Sequence, residues 1–268
     1  MSHAGSLGGK TILVTGAAGL GVGRGIVDAV LESGGRVVSV DVSAEAARHL
    51  ASAHPQILSL VGDISIEEDV DRIFNEAHGQ AGPIHGLVNN AGIGLNKPFY
   101  EVSGSEFDRV HGVDVRGTWL MCKDFSVRAM AESRGGAIVN ISSVHAAATA
   151  PGYAVYAGAK AAVHGMTRGI AVDLGPHGIR CNAVGPGYVH APQNVELIRS
   201  FTDEPEKWIS EHINNFQLLN HVVEARDCGD TVAFLLSDAA RSITGQTLLV
   251  DAGLTVALYN NSFTRRKS

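Results

Sequence analysis

A doubly wound parallel β-sheet with helices on both faces, in a single α/β domain, is the fold this sequence predicts. Short Val- and Ile-rich apolar runs alternate with helical stretches along most of the 268 residues. Strands that read as continuous apolar runs belong to parallel sheets covered on both faces, and right-handed crossovers wind the helices onto both sides. Gly reaches 32 residues while aromatics make up only 6%, as expected of closely packed layers of small aliphatic side chains joined by tight turns.

The elements follow in order. Lys10–Thr15 (KTILVT) is the first strand and Arg24–Glu32 the first helix, stopped by Gly34 and Gly35. Strands follow at Arg36–Asp41 (RVVSVD), Ile57–Val61 and Gly86–Asn89. Helices over Glu45–Ala53 and Ile66–His78 separate them, the second with Ser65 as its N-cap. A long helix is expected from about Ser105 to Ser133, a fifth strand at Gly136–Ser142 and another long helix over about Tyr153–Leu174. The sixth strand is Ile179–Val184 and the last Thr247–Asp251. Residues 1–9 read as a flexible lead, 10–259 as the domain and 260–268 as a tail. Residues 188–224 break the rhythm and are expected to cover the substrate, with a helix over Glu206–Phe216 and Pro205 near its first position. Trp208, Ile209, His212, Ile213 and Phe216 share one face of it, either lining a pocket or packing on the body.

Composition excludes several classes. A net charge of −6 is wrong for a nucleic-acid binder, which needs a basic face. Cys122, Cys181 and Cys228 lie far apart without a C-x-x-C, so no disulfide framework is expected and a reducing cytoplasm fits. No apolar run approaches the roughly 20 residues that span a bilayer, and no membrane partner is expected. The 12 histidines show neither H-x-x-x-H nor H-E-x-x-H spacing, so no catalytic metal is expected.

Between the first strand and first helix lies Thr15-Gly16-Ala17-Ala18-Gly19-Leu20-Gly21-Val22-Gly23. Glycines there let the backbone turn sharply and approach a pyrophosphate, which the free N–H groups of a helix N-terminus attract. The strand–loop–helix context points to a Rossmann-type dinucleotide site; the plainer alternative is an ordinary glycine turn. Asp41 ends the second strand, 18 residues after Gly23. A carboxylate there binds both ribose hydroxyls and repels a 2′-phosphate, and no Arg or Lys follows it, so NAD is expected over NADP. The plainer alternative is that Asp41 caps the next helix. Asp63 and Asn89-Asn90-Ala91-Gly92 end the third and fourth strands, at the carboxyl edge where such sheets bind ligands.

Tyr156 and Lys160 stand four residues apart at the start of a predicted helix, on one face. A cation favours a phenolate, so the phenol can exchange a proton with an alcohol. Ser143, thirteen residues before Tyr156 at the end of the fifth strand, places a hydroxyl where it can hold the substrate oxygen. Each residue alone has a plain reading, as a polar turn or a solvated face. His145, Tyr153 and His190 flank these motifs and are candidates for binding a polyol or sugar.

From about Gly9 to Gly253 the chain resembles the short-chain dehydrogenase/reductases. The matching motifs are the Gly-rich loop, Asp63, Asn89-Asn90-Ala91-Gly92, Ser143, Tyr156 with Lys160, Asn182-Ala183-Val184-Gly185-Pro186-Gly187, and Ile243-Thr244-Gly245-Gln246 leading to Val250-Asp251. The resemblance implies Tyr156 as general acid/base, Lys160 as its activator and ribose ligand, and Ser143 as the group that orients the substrate. It implies cofactor contacts from Gly16, Gly19, Leu20, Gly21, Val22 and Gly23, from Asp41, Asp63 and Ile64, and from Asn90, Ala91 and Gly92. Pro186, Gly187 and Val189 would lie against the nicotinamide, and hydride would pass directly to or from a carbon bearing the oxygen of a small alcohol or carbonyl substrate. The family's homotetramers suggest a subunit interface for the apolar Leu254–Tyr259 segment.

Three departures stand out. Four residues rather than three separate Thr15-Gly16 from Gly21-x-Gly23, predicting a wider phosphate loop. The family's catalytic Asn is matched by Asp114, which adds charge and cannot donate when ionised. The family's Thr after Pro-Gly is matched by Ala191, which removes a cofactor contact. The sequence thus predicts an NAD-dependent oxidoreductase of a secondary alcohol, sugar or cyclic polyol. Its rivals are an NADPH-dependent ketoacyl-type reductase, which would need basic residues near Asp41, and a nucleotide-binding sensor or scaffold without chemistry.

Overall fold

The computed structural model describes residues 5–258. Its strands are β1 Thr11–Thr15, β2 Arg36–Asp41, β3 Leu58–Val61, β4 Gly86–Asn89, β5 Gly136–Ile141, β6 Ile179–Pro186 and β7 Thr247–Val250. They form one seven-stranded sheet in the order β3-β2-β1-β4-β5-β6-β7, with every pairing parallel. The order reverses between β1 and β4, which opens a crevice at their carboxyl ends. This is the doubly wound Rossmann-type sheet that the sequence predicts. Among the described residues no helix is long and apolar enough to cross a membrane.

The helices are α1 Val22–Glu32, α2 Ala44–Ala53, α3 Glu67–Ala81, α4 Gly104–His111, α5 Thr118–Ala131, α6 Ala154–Leu174, α7 Pro192–Arg199, α8 Pro205–Phe216 and α9 Ala225–Leu236. Successive strand residues face opposite sides. Ile12 and Val14 therefore pack with Ile26, Val30 and Val232 on one face, while Leu13 packs with Phe74, Leu120 and Phe125 on the other. α9 has no counterpart in the sequence reading. It lies against α1 at backbone distance: a Cβ on Gly25 would stand 2.1 Å from the Ala225 carbonyl oxygen, and one on Gly229 would stand 2.1 Å from that of Gly25.

Four expectations need correction. The long helix over 105–133 is α4 and α5 joined by a π-helical turn, Gly112–Gly117. Ser65 does not cap α3: the N-cap is Ile66 without a side-chain bond, because the Ser65 hydroxyl donates to Asp63 Oδ1 at 2.7 Å. Glu67, Glu68 and Asp69 in the first turn supply the negative charge the helix start favours instead. Gly5–Gly9 is part of the packed body rather than a flexible lead, since Leu7 is fully buried and its N–H donates to the Ser33 carbonyl at 2.9 Å. Residues 188–224 contain a second helix, α7, besides the expected α8. Tyr259 and the tail 260–268 lie outside the described residues.

The 188–224 segment is closed at its base by a single parallel bridge between His190 and Glu224, where the His190 N–H donates to the Val223 carbonyl at 2.8 Å. The α8 stripe divides. Ile209 and Ile213 are buried against Ile198 of α7, with Tyr188 and Trp208 packed beside them. Trp208 stacks on His212 with centroids 5.1 Å apart, and Phe216 is exposed.

Candidate active site

The glycine-rich loop begins with Gly16 in the left-handed region at φ +61°. A side chain there would meet Ala91 Cα at 2.8 Å, and one on Gly23 would stand 2.2 Å from the Gly16 carbonyl oxygen. The loop therefore folds tightly onto the end of β4. Asn90 secures it, its amide donating to the Thr15 and Gly16 carbonyls at 3.1 and 2.8 Å. The Thr15 hydroxyl accepts the N–H groups of Asn90 and Ala91, each at 3.1 Å. The tip is open, with Leu20 exposed, and no side chain caps α1, whose N-cap is Gly21.

Asp41 lies across this loop. One carboxylate oxygen accepts the Ala18 N–H at 3.2 Å and the other the Ser43 N–H at 3.0 Å. Ser43, not Asp41, caps α2, so the helix-cap reading of Asp41 fails. Asp63 accepts both the N–H and the hydroxyl of Ser65 on one oxygen. Ile64 is buried, and its side chain packs where a Gly117 Cβ would stand. β6 ends at Pro186, and the Gly187 N–H donates to Val250 at 3.0 Å. Val189 is buried with Val223 and Cys228, beside Val22.

The expected chemical residues meet at the carboxyl end of β5. Ser143 is buried, and its hydroxyl oxygen accepts the His145 N–H at 3.2 Å. The His145 ring lies edge-on to Tyr156 at 5.6 Å and against Tyr153 at 4.5 Å. Its Nδ1 sits 2.8 Å from the Thr149 hydroxyl, and burial pushes the imidazole below the ordinary histidine value, so a neutral ring faces the phenols. The Lys160 ammonium lies 5.5 Å from the centre of the Tyr156 ring and donates to the Ile141 carbonyl at 3.3 Å. The Ser142 hydroxyl donates to the Lys160 carbonyl at 3.0 Å, fixing α6 to the strand end.

Asp114, from the π-helical turn, joins this group. Its Oδ1 accepts the Ile93 N–H at 2.8 Å, and its Oδ2 forms an ion pair with Lys160 Nζ at 3.0 Å. Gly92 makes the room, because a Cβ there would stand 3.0 Å from Nζ and 3.1 Å from Oδ2. Burial works against the Lys160 charge, yet its electrostatic interactions with Tyr156 and with Asp114 together outweigh it and hold the ammonium above the usual lysine value.

Other candidates recede. Burial pushes the Cys122 and Cys228 thiols up to about 12, so neither is a nucleophile at neutral pH. Among the described residues no three His, Cys, Asp or Glu side chains gather as metal ligands.

Sequence reasoning missed Gln193. Its amide nitrogen stands 2.4 Å from where a Gly21 Cβ would be, so a polar residue of the 188–224 segment reaches the loop. It belongs to no motif. A cavity of about 650 Å³ lies between Leu20 and the α7 residues Gln193, Glu196 and Arg199; Ser143, Tyr156 and Lys160 are not among its walls.

The family model described as enoyl-(acyl carrier protein) reductase matches residues 16–255. The chain is 37% identical over 255 residues to the 2,5-dichloro-2,5-cyclohexadiene-1,4-diol dehydrogenase of Sphingobium indicum, covering 93% of this chain and 98% of that one. It is 36% identical over 247 residues to the carbonyl reductase [NADPH] 2 of Sus scrofa, covering 91% and 96%. It is 34% identical over 247 residues to the L-xylulose reductase of Homo sapiens, covering 92% and 97%. The chain is a short-chain dehydrogenase/reductase. As an oxidoreductase of this family it uses a nicotinamide cofactor, and its residues fit one. The short-chain dehydrogenase/reductase loop opens onto an uncapped helix start, at the point where the strand order reverses, with a carboxylate at the end of the neighbouring strand.

Proposed function

We propose that this enzyme interconverts a secondary alcohol and its ketone with NAD(H), the alcohol being a sugar, polyol or cyclic alcohol, and that Tyr156 moves the proton. The observation that carries the reading is the Tyr156 ring beside a buried ammonium at the carboxyl end of the sheet. The Ser143 hydroxyl holds the substrate oxygen. In the oxidative direction the Tyr156 phenolate takes the proton of the alcohol O–H, and in reduction the phenol returns it. Lys160 stabilises the phenolate and keeps a donor for the nicotinamide ribose. The bound nicotinamide accepts or supplies the hydride.

Asp41 supports NAD. Its two oxygens are held by backbone N–H groups, so it stays where a 2′-phosphate would come, and like charges placed together cost several kcal/mol. NAD⁺ is expected to exceed NADP⁺ in kcat/KM by at least about tenfold, and Asp41→Ser to narrow the gap; equal or better turnover with NADP⁺ refutes this. The polyhydroxylated compounds in the names of two relatives support the substrate class.

The deciding assay is cofactor reduction over a panel of sugars, polyols and cyclic alcohols, with NAD⁺ and NADP⁺ side by side. Turnover confined to NADP(H) and ketoacyl substrates favours a ketoacyl-type reductase. NADH binding with no turnover in either direction favours a sensor, for which the buried Asp114 is the supporting observation.

The reading includes a cytoplasmic homotetramer. Val256 and Leu258 stay exposed after the last strand, within the segment expected at an interface. Light scattering at micromolar concentration should give four chains, and a monomer mass refutes it.

A further inference from the structure

Among the described residues, the one carboxylate in contact with the Lys160 ammonium is Asp114, 1% exposed and presented by a π-helical turn. Such turns redirect a side chain out of the regular helical pattern and are frequent at functional sites. Two positively polarised groups face this side chain: the Ile93 N–H donates to one oxygen, and the ammonium stands 3.0 Å from the other as an ion pair, on an oxygen that accepts no hydrogen bond. An amide has one acceptor oxygen and one NH₂ group. With asparagine here, the NH₂ would face either the Ile93 N–H or the ammonium. The socket is matched to a carboxylate.

Several charges on the neighbouring elements are engaged elsewhere. Arg116 of the same turn reaches outward to the Ser65 carbonyl and Glu67. On α4, Glu106 pairs with Lys97. On α5, Lys123 pairs with Glu67 and Asp124 with Arg128. On α6, burial and then Arg168 push His164 below the ordinary histidine value, and burial does the same to His145 beside Tyr156. Beside the phenol stand the Lys160 ammonium and the Asp114 carboxylate, 3.0 Å apart.

We propose that Asp114 is a positioning residue that holds the Lys160 ammonium in place and offsets its field at the Tyr156 phenol, so that this enzyme moves its proton at higher pH than it would with the family's asparagine. The physical basis is Coulombic: an ammonium favours the phenolate, and an anion against that ammonium opposes the effect. The proposal rests on Tyr156 being the proton carrier.

The test is the ultraviolet tyrosinate signal of the ligand-free protein followed against pH, with the Tyr156→Phe signal subtracted. In Asp114→Asn the Tyr156 component should appear about one pH unit lower, whereas Asp114→Glu, which keeps the charge, should leave it in place. The acid limb of NAD⁺ reduction should move down in parallel in Asp114→Asn. An unmoved tyrosinate component overturns the proposal, since a merely structural role would lower the rate alike at every pH. If Asp114→Asn does not fold, Asp114→Ser takes its place with the same expectation. Unfolding of both neutral variants with Asp114→Glu folded shows that Lys160 requires the charge and supports the positioning role. The titration needs neither substrate nor turnover, so failure of the proposed reaction is seen separately.

Discussion

Tyr156→Phe is expected to lower turnover about 10²- to 10⁴-fold, the usual contribution of a positioned acid/base, while NADH binding and thermal stability stay close to wild type. The substitution removes one oxygen and leaves the ring. The ring contacts to His145 at 5.6 Å and Tyr153 at 6.2 Å are made by carbon faces and edges and survive. The Lys160 ammonium keeps its contacts to Ile141 and Asp114, so the donor reserved for the ribose is still in place. Binding is read from the change in NADH fluorescence on titration, and turnover from nicotinamide absorbance with the best substrate of the panel. A variant that turns over within a few-fold of wild type removes Tyr156 from the chemistry. A variant that loses NADH binding as well shows that the phenol organises the cofactor site rather than the proton transfer.

The sheet was legible because parallel strands buried on both faces leave continuous apolar runs, such as TILVT at β1 and VVSV within β2. The candidate site residues could be picked out because such a fold gathers them at strand ends, where Asp41, Asn90 and Ser143 all occur. What stayed hidden depends on distant contacts. α9 was missed because Arg226, Asp227, Gly229 and Asp230 interrupt its apolar pattern, whereas Gly229 lets the α1 backbone approach. The π-helical turn leaves no local trace, so the sequence named Asp114 without showing that it would be buried against Lys160. Motif membership also overstates chemistry. Asn182 spends its amide on the Ile243 carbonyl and the Gln246 N–H, bracing the approach to β7, and Asn90, expected at the cofactor, spends its amide donors on the glycine-rich loop.

Lys160→Met should be the most destabilising of the site variants, costing about 3–5 kcal/mol by the precedent of broken buried ion pairs. Lys160 is 4% exposed and Asp114 1%, so removing the ammonium strands a carboxylate with only the Ile93 N–H for company. Methionine fills much of the same volume, which keeps cavity formation a minor part of the loss. Neutralising the partner tests the cause. Lys160→Met with Asp114→Asn retains an acceptor for Ile93 and no charge to strand, and should recover more than half of the loss, with a coupling of about 2 kcal/mol in the double-mutant cycle. Urea unfolding followed by circular dichroism reads all four proteins, and a coupling near zero sinks the ion-pair account. The pH dependence has a definite sign. A lysine held above its unfolded value of about 10.4 contributes stability that is fully present below that pH and lost as pH climbs through the raised folded value. The wild type should therefore lose its advantage over the double variant only in strongly alkaline solution. Turnover should stay absent in both Lys160→Met proteins, because restored stability does not restore the cation beside Tyr156.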